Sequence, residues 1–95
     1  MTSKDALEIL KQCALDDVRV FYPKHARERM VERNITPLQI LTCLEKGRIT
    51  ESPCRDVRGD WRCTMEHYTA GNAINVATAI KYNNKGVYTV IVTVF

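Results

Sequence analysis

Apolar residues recur at helical spacing through the first half of the chain and at strand spacing through the second. In "TSKDALEILKQCAL" a capping residue precedes Ala6, Leu10, Cys13 and Ala14, with Leu7 beside them, which predicts a helix over about residues 3–15. "VRVFY" alternates, as a short edge strand or merely extended chain would. Pro23 stops it, and Lys24 starts a second helix. The segment "NITPLQILTCLEKGRI" predicts a third helix, joined to the second at about Asn34. Thr36 is its N-cap, Pro37 sits where a missing N–H costs nothing, Gln39 completes a capping box, and Ile35 and Ile40 form a hydrophobic staple. Gly47, after Lys46, fits a left-handed C-terminal position, and Leu38, Leu41 and Leu44 are the expected buried face.

After Gly47 the period changes from 3.6 to 2. "RITES" reads as a strand and "PCRDVRG" as a polar loop. "DWRCTMEHY" places Trp61, Cys63, Met65 and His67 on one face and Arg62, Thr64, Glu66 and Tyr68 on the other. "AGN" and "NNKG" are turns around "AINVATAIKY", and "VYTVIVTVF", apolar on both faces, is expected to be central. Trp61, Met65, Val90 and Val92 are the expected core of the sheet. The fold class is therefore α+β, with two or three N-terminal helices packed on a four-stranded, mostly antiparallel sheet. The 95 residues form a single domain, 1–95, with a helical half over 1–47 and a β-meander over 48–95.

Composition changes this picture little. An apolar fraction of 45% and a charged fraction of 26% are those of a soluble globular domain. A net charge of +3 is too weak alone to imply nucleic acid, but its distribution is uneven. Residues 1–23 carry three Lys/Arg against four Asp/Glu, whereas residues 24–33 carry four against two, and residues 81–95 carry two against none. Cys13, Cys43, Cys54 and Cys63 form no C-x-x-C pair, and His25 and His67 stand alone, so neither a metal nor another cofactor is expected. No apolar run approaches the roughly 18 residues that a membrane span needs, which points to a cytoplasmic protein with reduced thiols. Cys13, Cys43 and Cys63 are expected in the core and Cys54 at the surface.

The chemistry-bearing stretch is "YPKHARERMVERNIT". It sets His25, Arg29 and Arg33 four residues apart in a stripe spanning about 80° of a helix, beside the apolar pair Ala26 and Met30. Like charges at that spacing repel by about a few tenths of a kcal/mol per pair. Either carboxylates offset the repulsion or a phosphate does. Glu32 can reach Arg29, Glu28 can reach His25 or Lys24, and Glu66 or Asp60 can reach from the sheet; in that case the stripe is structural. With phosphate, the set suits metal-free RNA cleavage. The RNA 2′-hydroxyl is the nucleophile, a histidine transfers protons, and guanidinium forks oppose the charge of the phosphorane. Arg62, Lys81 and Tyr82 on strands are supporting substrate-binding candidates. His67, whose alternation partners are Trp61, Cys63 and Met65, reads as a core-edge histidine.

The run "KHARERMVERNITPLQILTCLEKGRI", followed by strands ending in "VIVTVF", resembles an uncharacterised bacterial domain family. Its pattern is H-x-x-x-R-M-x-x-R-x-I, then a helix ending in Gly, then a sheet closed by a V-I-T-V-F/Y strand. That family is similar to the RelE and BrnT toxins, compact α+β ribonucleases of toxin–antitoxin pairs. The resemblance implies a RelE/BrnT-like fold over about residues 22–95 and a metal-independent ribonuclease toxin. It carries over His25 as acid/base and Arg29 and Arg33 as phosphate ligands. RNA or the ribosome, and an antitoxin with an acidic segment, are the implied partners. Asn75 stands where related chains can carry a polar residue or a histidine, so no second catalytic histidine is implied there. Two other readings stay open: a non-catalytic module that binds RNA or an acidic partner through the stripe, and a structural protein in which the stripe is salt-bridged. An enzyme requires the three residues on one cleft and an oriented His25. A binding module requires only an exposed cationic surface. A structural role requires guanidinium groups buried against Glu66 or Asp60.

Overall fold

Local capping chemistry sets the helix starts. The computed structural model of the chain describes residues 1–95, the side chain of Asp17 excepted. Thr2 opens α1 (Ser3–Leu15) with a reciprocal capping box: its hydroxyl accepts from the Asp5 N–H at 3.1 Å, and the Asp5 carboxylate accepts from the Thr2 N–H at 3.2 Å. Those bonds hold the Asp5 carboxyl below its ordinary value. A 3₁₀ turn (Asp17–Arg19) leads into β1 (Val20–Phe21). Helix α2 (Lys24–Arg33) follows Pro23 and stops at Asn34, whose left-handed backbone (φ 58°, ψ 43°) turns its N–H back to the carbonyls of Met30 and Val31. Helix α3 (Pro37–Lys46) has the predicted box, with the Thr36 hydroxyl accepting from the Gln39 N–H at 3.2 Å and the Gln39 side chain accepting from the Thr36 N–H at 2.8 Å.

Two expectations about α3 are corrected. Gly47 is extended (φ −76°, ψ −178°), not left-handed. The residue is small because a Cβ there would press on the carbonyl oxygens of Cys43 and Glu66, the latter at 2.7 Å. The buried face is Ile40, Cys43 and Leu44; Leu41 is half-buried and Leu38 is 73% exposed.

The sheet has five strands, not four. β2 (Arg48–Arg55), β3 (Trp61–Thr69), β4 (Asn72–Asn83) and β5 (Gly86–Val94) form the antiparallel meander, and β1 adds to β5 in parallel, giving the order β1-β5-β4-β3-β2. β2 runs on through Pro53, with register shifts between Ile49 and Glu51 and between Glu51 and Cys54. An edge strand with irregular pairing tolerates a residue that has no N–H to donate. The β3–β4 turn is the two-residue pair Ala70 and Gly71, both with positive φ (50° and 82°), the geometry that matches strand twist in a hairpin.

The helices cover one sheet face. Ala6, Leu10 and Cys13 of α1, Ala26 and Met30 of α2, and Ile40, Cys43 and Leu44 of α3 form one core with Cys63, Met65, Ile74, Val76, Ile80, Ile91 and Val94. Met65 is core as expected, whereas Trp61, Val90 and Val92 are only half-buried. On β5 the helix-facing positions are Thr89, Ile91 and Val94, so Val90 and Val92 point to the uncovered face. Trp61 packs half-buried against the edge of the core and lies under the Arg55 guanidinium, 4.8 Å from the ring centroid.

Candidate functional site

Helix α2 is built to face two environments. Ala26 and Met30 are buried, Arg29 is half-buried, and His25 and Arg33 are exposed on the same line. The helix packs chiefly on β5. Its start has no side-chain cap and no acidic residue in the first turn, so its N-terminal N–H groups leave a positive end beside Lys24 and His25. The carboxylates of α2 are taken locally. Glu32 Oε2 pairs with Arg29 Nη1 at 3.0 Å, and Glu28 Oε1 lies 3.9 Å from Lys24 Nζ. Exposed pairs of this kind contribute about 0–1 kcal/mol. Among the described residues, Arg27, Arg33 and His25 have no carboxylate partner, and no hydrogen bond orients the His25 ring.

The pairing of the stripe with the sheet does not occur. Glu66 binds Arg48 (2.7 Å) and Asp60 binds Lys81 (3.1 Å). Neither meets Arg29 or Arg33.

Arg33 opens into a cleft of about 330 Å³. It is lined by Asn34, Ile35 and Gln39 of the α2–α3 junction, by Thr69, Ala70, Asn72, Ala73 and Ile74 around the β3–β4 turn, and by Phe95. His25 and Arg29 do not line it.

The strand candidates stand elsewhere. Arg62 donates to Asp56 Oδ2 at 2.8 Å, and Lys81 holds Asp60. Burial alone would raise the Asp56 carboxyl. The backbone N–H groups of Asp60 and Arg58 and the Arg62 guanidinium outweigh that and lower it. These pairs close the Asp56–Asp60 loop. Tyr82 is exposed and lines a separate depression with Met1, Asp5, Glu8 and Ile9. Residues 73 and 82 are at opposite ends of β4, about 30 Å apart at strand rise. The structure therefore brings His25, Arg29 and Arg33 onto one helix and does not bring Lys81 and Tyr82 to Arg33.

The sequence pattern assigns no site role to Asn34, Gln39, Asn72 or Phe95. Asn34 was legible as a helix stop, but nothing in the pattern places the β3–β4 turn against the α2–α3 junction. His67 sits half-buried at the core edge, its Nδ1 3.2 Å from Thr69 Oγ1. Cys13, Cys43 and Cys63 are buried and Cys54 is exposed. Among the described residues, no three His, Cys, Asp or Glu side chains stand close enough to hold a metal ion. Among the described residues, no helix is long and apolar enough to cross a membrane.

Comparison with known families gives a match over residues 22–95 to a family described as a domain of unknown function, DUF4258. No curated protein and no solved structure matches the chain significantly.

Proposed function

Because the chain belongs to the DUF4258 family over residues 22–95, a family whose description carries no activity, we propose a function from the chemistry of α2: the protein acts on RNA, holding the phosphodiester backbone along His25, Arg29 and Arg33. The observation that carries this reading is that His25 and Arg33 are left without carboxylate partners among the described residues, on a helix whose anions are engaged by its own lysine and arginine. A guanidinium fork matches phosphate oxygens in pairs, and a phosphate can displace the exposed Glu32 from Arg29 at little cost.

A second reading adds catalysis. In the RelE/BrnT-like form, the protein is a metal-independent ribonuclease toxin of a toxin–antitoxin pair. His25 transfers a proton during attack of the RNA 2′-hydroxyl on the adjacent phosphorus. The 5′-oxygen leaves, and a 2′,3′-cyclic phosphate remains. Arg29 and Arg33 oppose the charge on the phosphorane. His25 shares a helix line with the arginines, which fits this form, but it does not line the cleft that Arg33 opens into, which favours binding alone. The lack of a hydrogen bond orienting its ring favours binding alone, although catalytic contacts in ligand-free proteins often tighten only with substrate. An acidic antitoxin segment is the partner that would cover α2, with binding that weakens as salt rises.

One experiment separates the forms. RNA is incubated with the purified protein in EDTA, with and without ribosomes, while binding is measured by gel shift. Binding with cyclic-phosphate ends that vanish in His25→Gln supports the nuclease. Binding without cleavage leaves the RNA-binding module, and absence of binding removes both.

A further inference from the structure

The cleft at the C-terminal end of α2 has the chemistry of a nucleotide subsite. Its cation is Arg33, exposed and without a carboxylate partner among the described residues. Its aromatic surface is Phe95, 44% exposed, while its backbone is fixed by paired hydrogen bonds with Asn75 at 3.1 and 2.9 Å. Its polar wall carries the amides of Asn34 and Asn72, both exposed and without a hydrogen bond among the described residues. Gln39 joins them half-spent: its Oε1 accepts from Thr36, which leaves the Nε2 protons for a ligand. Half-buried Ile35 and buried Ile74 supply an apolar floor.

We propose that this cleft binds one unstacked nucleotide of a single-stranded RNA, with the base on Phe95, its edge on the amides of Asn34, Gln39 and Asn72, and the adjoining phosphate on Arg33. The inference rests on the reading of α2 as an RNA-binding face and adds a preference to it. A line of cations on a helix grips any polyanion. An aromatic ring in a cleft of about 330 Å³ takes only a base that can leave its stack. The volume lies at the lower end of ligand pockets, roughly 300–1,000 Å³, which suits a single base and not an extended ligand. Carboxamides pair with base edges through one donor and one acceptor group. The residues come from three separate places in the chain, the α2–α3 junction, the β3–β4 turn and the residue that follows β5, so the cleft is a product of the fold and not of one helix end.

The test compares a labelled single-stranded RNA hexamer with a duplex of the same sequence by fluorescence anisotropy, on the wild type, Phe95→Leu and Asn72→Ala. Loss of the ring should weaken hexamer binding by about 10-fold and leave duplex binding unchanged. Asn72→Ala, at an exposed turn, should follow the same pattern more weakly and covers the case in which Phe95→Leu melts early. If both variants bind the hexamer as the wild type does while Arg33→Lys binds it weakly, α2 holds RNA without this subsite and the inference falls alone. If the wild type binds neither RNA, the α2 reading falls. The cleft is then decided by titrating the four nucleoside 5′-monophosphates and following backbone amide shifts. Movement at Asn34, Asn72 and Phe95 upholds it, and a still cleft overturns it.

Discussion

At the scale of single residues, positions 47 and 70 show opposite uses of backbone space. Gly47 has an ordinary backbone but no room, since a Cβ would press on the carbonyls of Cys43 and Glu66 where the end of α3 meets β3. Gly47→Ala should therefore destabilise by overpacking, by about 1–3 kcal/mol in a denaturant melt. Ala70 has room but a strained backbone, φ 50°, in a hairpin turn that favours Asn. Ala70→Asn should stabilise by about 0.5–1 kcal/mol, because a left-handed alanine costs about 1–2 kcal/mol. A melt in which Gly47→Ala is silent, or Ala70→Asn is destabilising, would contradict these assignments. The thiols give a chemical check. Burial pushes Cys43 up to about 12 and Cys63 up to about 11, from an ordinary value of 9.0. Near pH 8 a disulfide reagent should titrate the exposed Cys54 quickly in the native chain, and all four cysteines only after unfolding. The folded state holds these protons to higher pH than the unfolded chain, so their contribution is full below about pH 9 and is lost as pH rises through about 11 to 12.

At the scale of elements, α3 depends on Thr36. Thr36→Ala removes the acceptor for the Gln39 N–H and should cost about 1 kcal/mol, read as a lower melting midpoint with an unchanged denaturant slope. This helix was also the most legible in the sequence, because cap chemistry is local: Thr36, Pro37 and Gln39 act on one another within one turn. Its buried face was not legible. Leu38, Ile40, Leu41, Cys43 and Leu44 make α3 apolar nearly all round, so periodicity cannot choose between Leu38 and Ile40, and only the packing against α1 and the sheet decides. β1 was half-legible for a related reason. Two residues give no pattern, and their parallel partners, Thr89 and Val90, lie far along the chain. The His25–Arg29–Arg33 stripe was readable because it belongs to one helix. The cleft beside it was not, since it needs Asn72 and Phe95 brought to Asn34 by the whole sheet. The stripe's own test is Arg29→Lys against Arg33→Lys. Both keep the charge and lose the fork, and both should weaken RNA binding without moving the melting temperature. A fall in stability with intact binding would instead mark the arginines as structural.

At the scale of the whole molecule, the family match begins at residue 22, beyond α1, yet α1 fills the core. Ala6, Leu10 and Cys13 are fully buried, and the helix packs on α3 and also touches β2 and β5. Without them the part of α3 that packs on α1 loses its cover. Leu10→Ala alone should cost about 2–5 kcal/mol. A domain of this size has of the order of 5–15 kcal/mol in all, so removing three such side chains together with the helix backbone that carries them consumes most of it. A fragment of residues 22–95 also lacks β1, which leaves the outer edge of β5 unpaired at Thr89 and Val90. Two expectations follow, and together they separate loss of α1 from loss of β1. The full-length Leu10→Ala variant should melt cooperatively at a lower temperature. The fragment should keep secondary structure by far-ultraviolet circular dichroism, lose a sharp thermal transition and bind a dye that reports exposed apolar surface. A fragment that melts as sharply as the full chain would show that the helices α2 and α3 close the core over the sheet by themselves. In that case α1 is an attachment to the fold and not a part of its core.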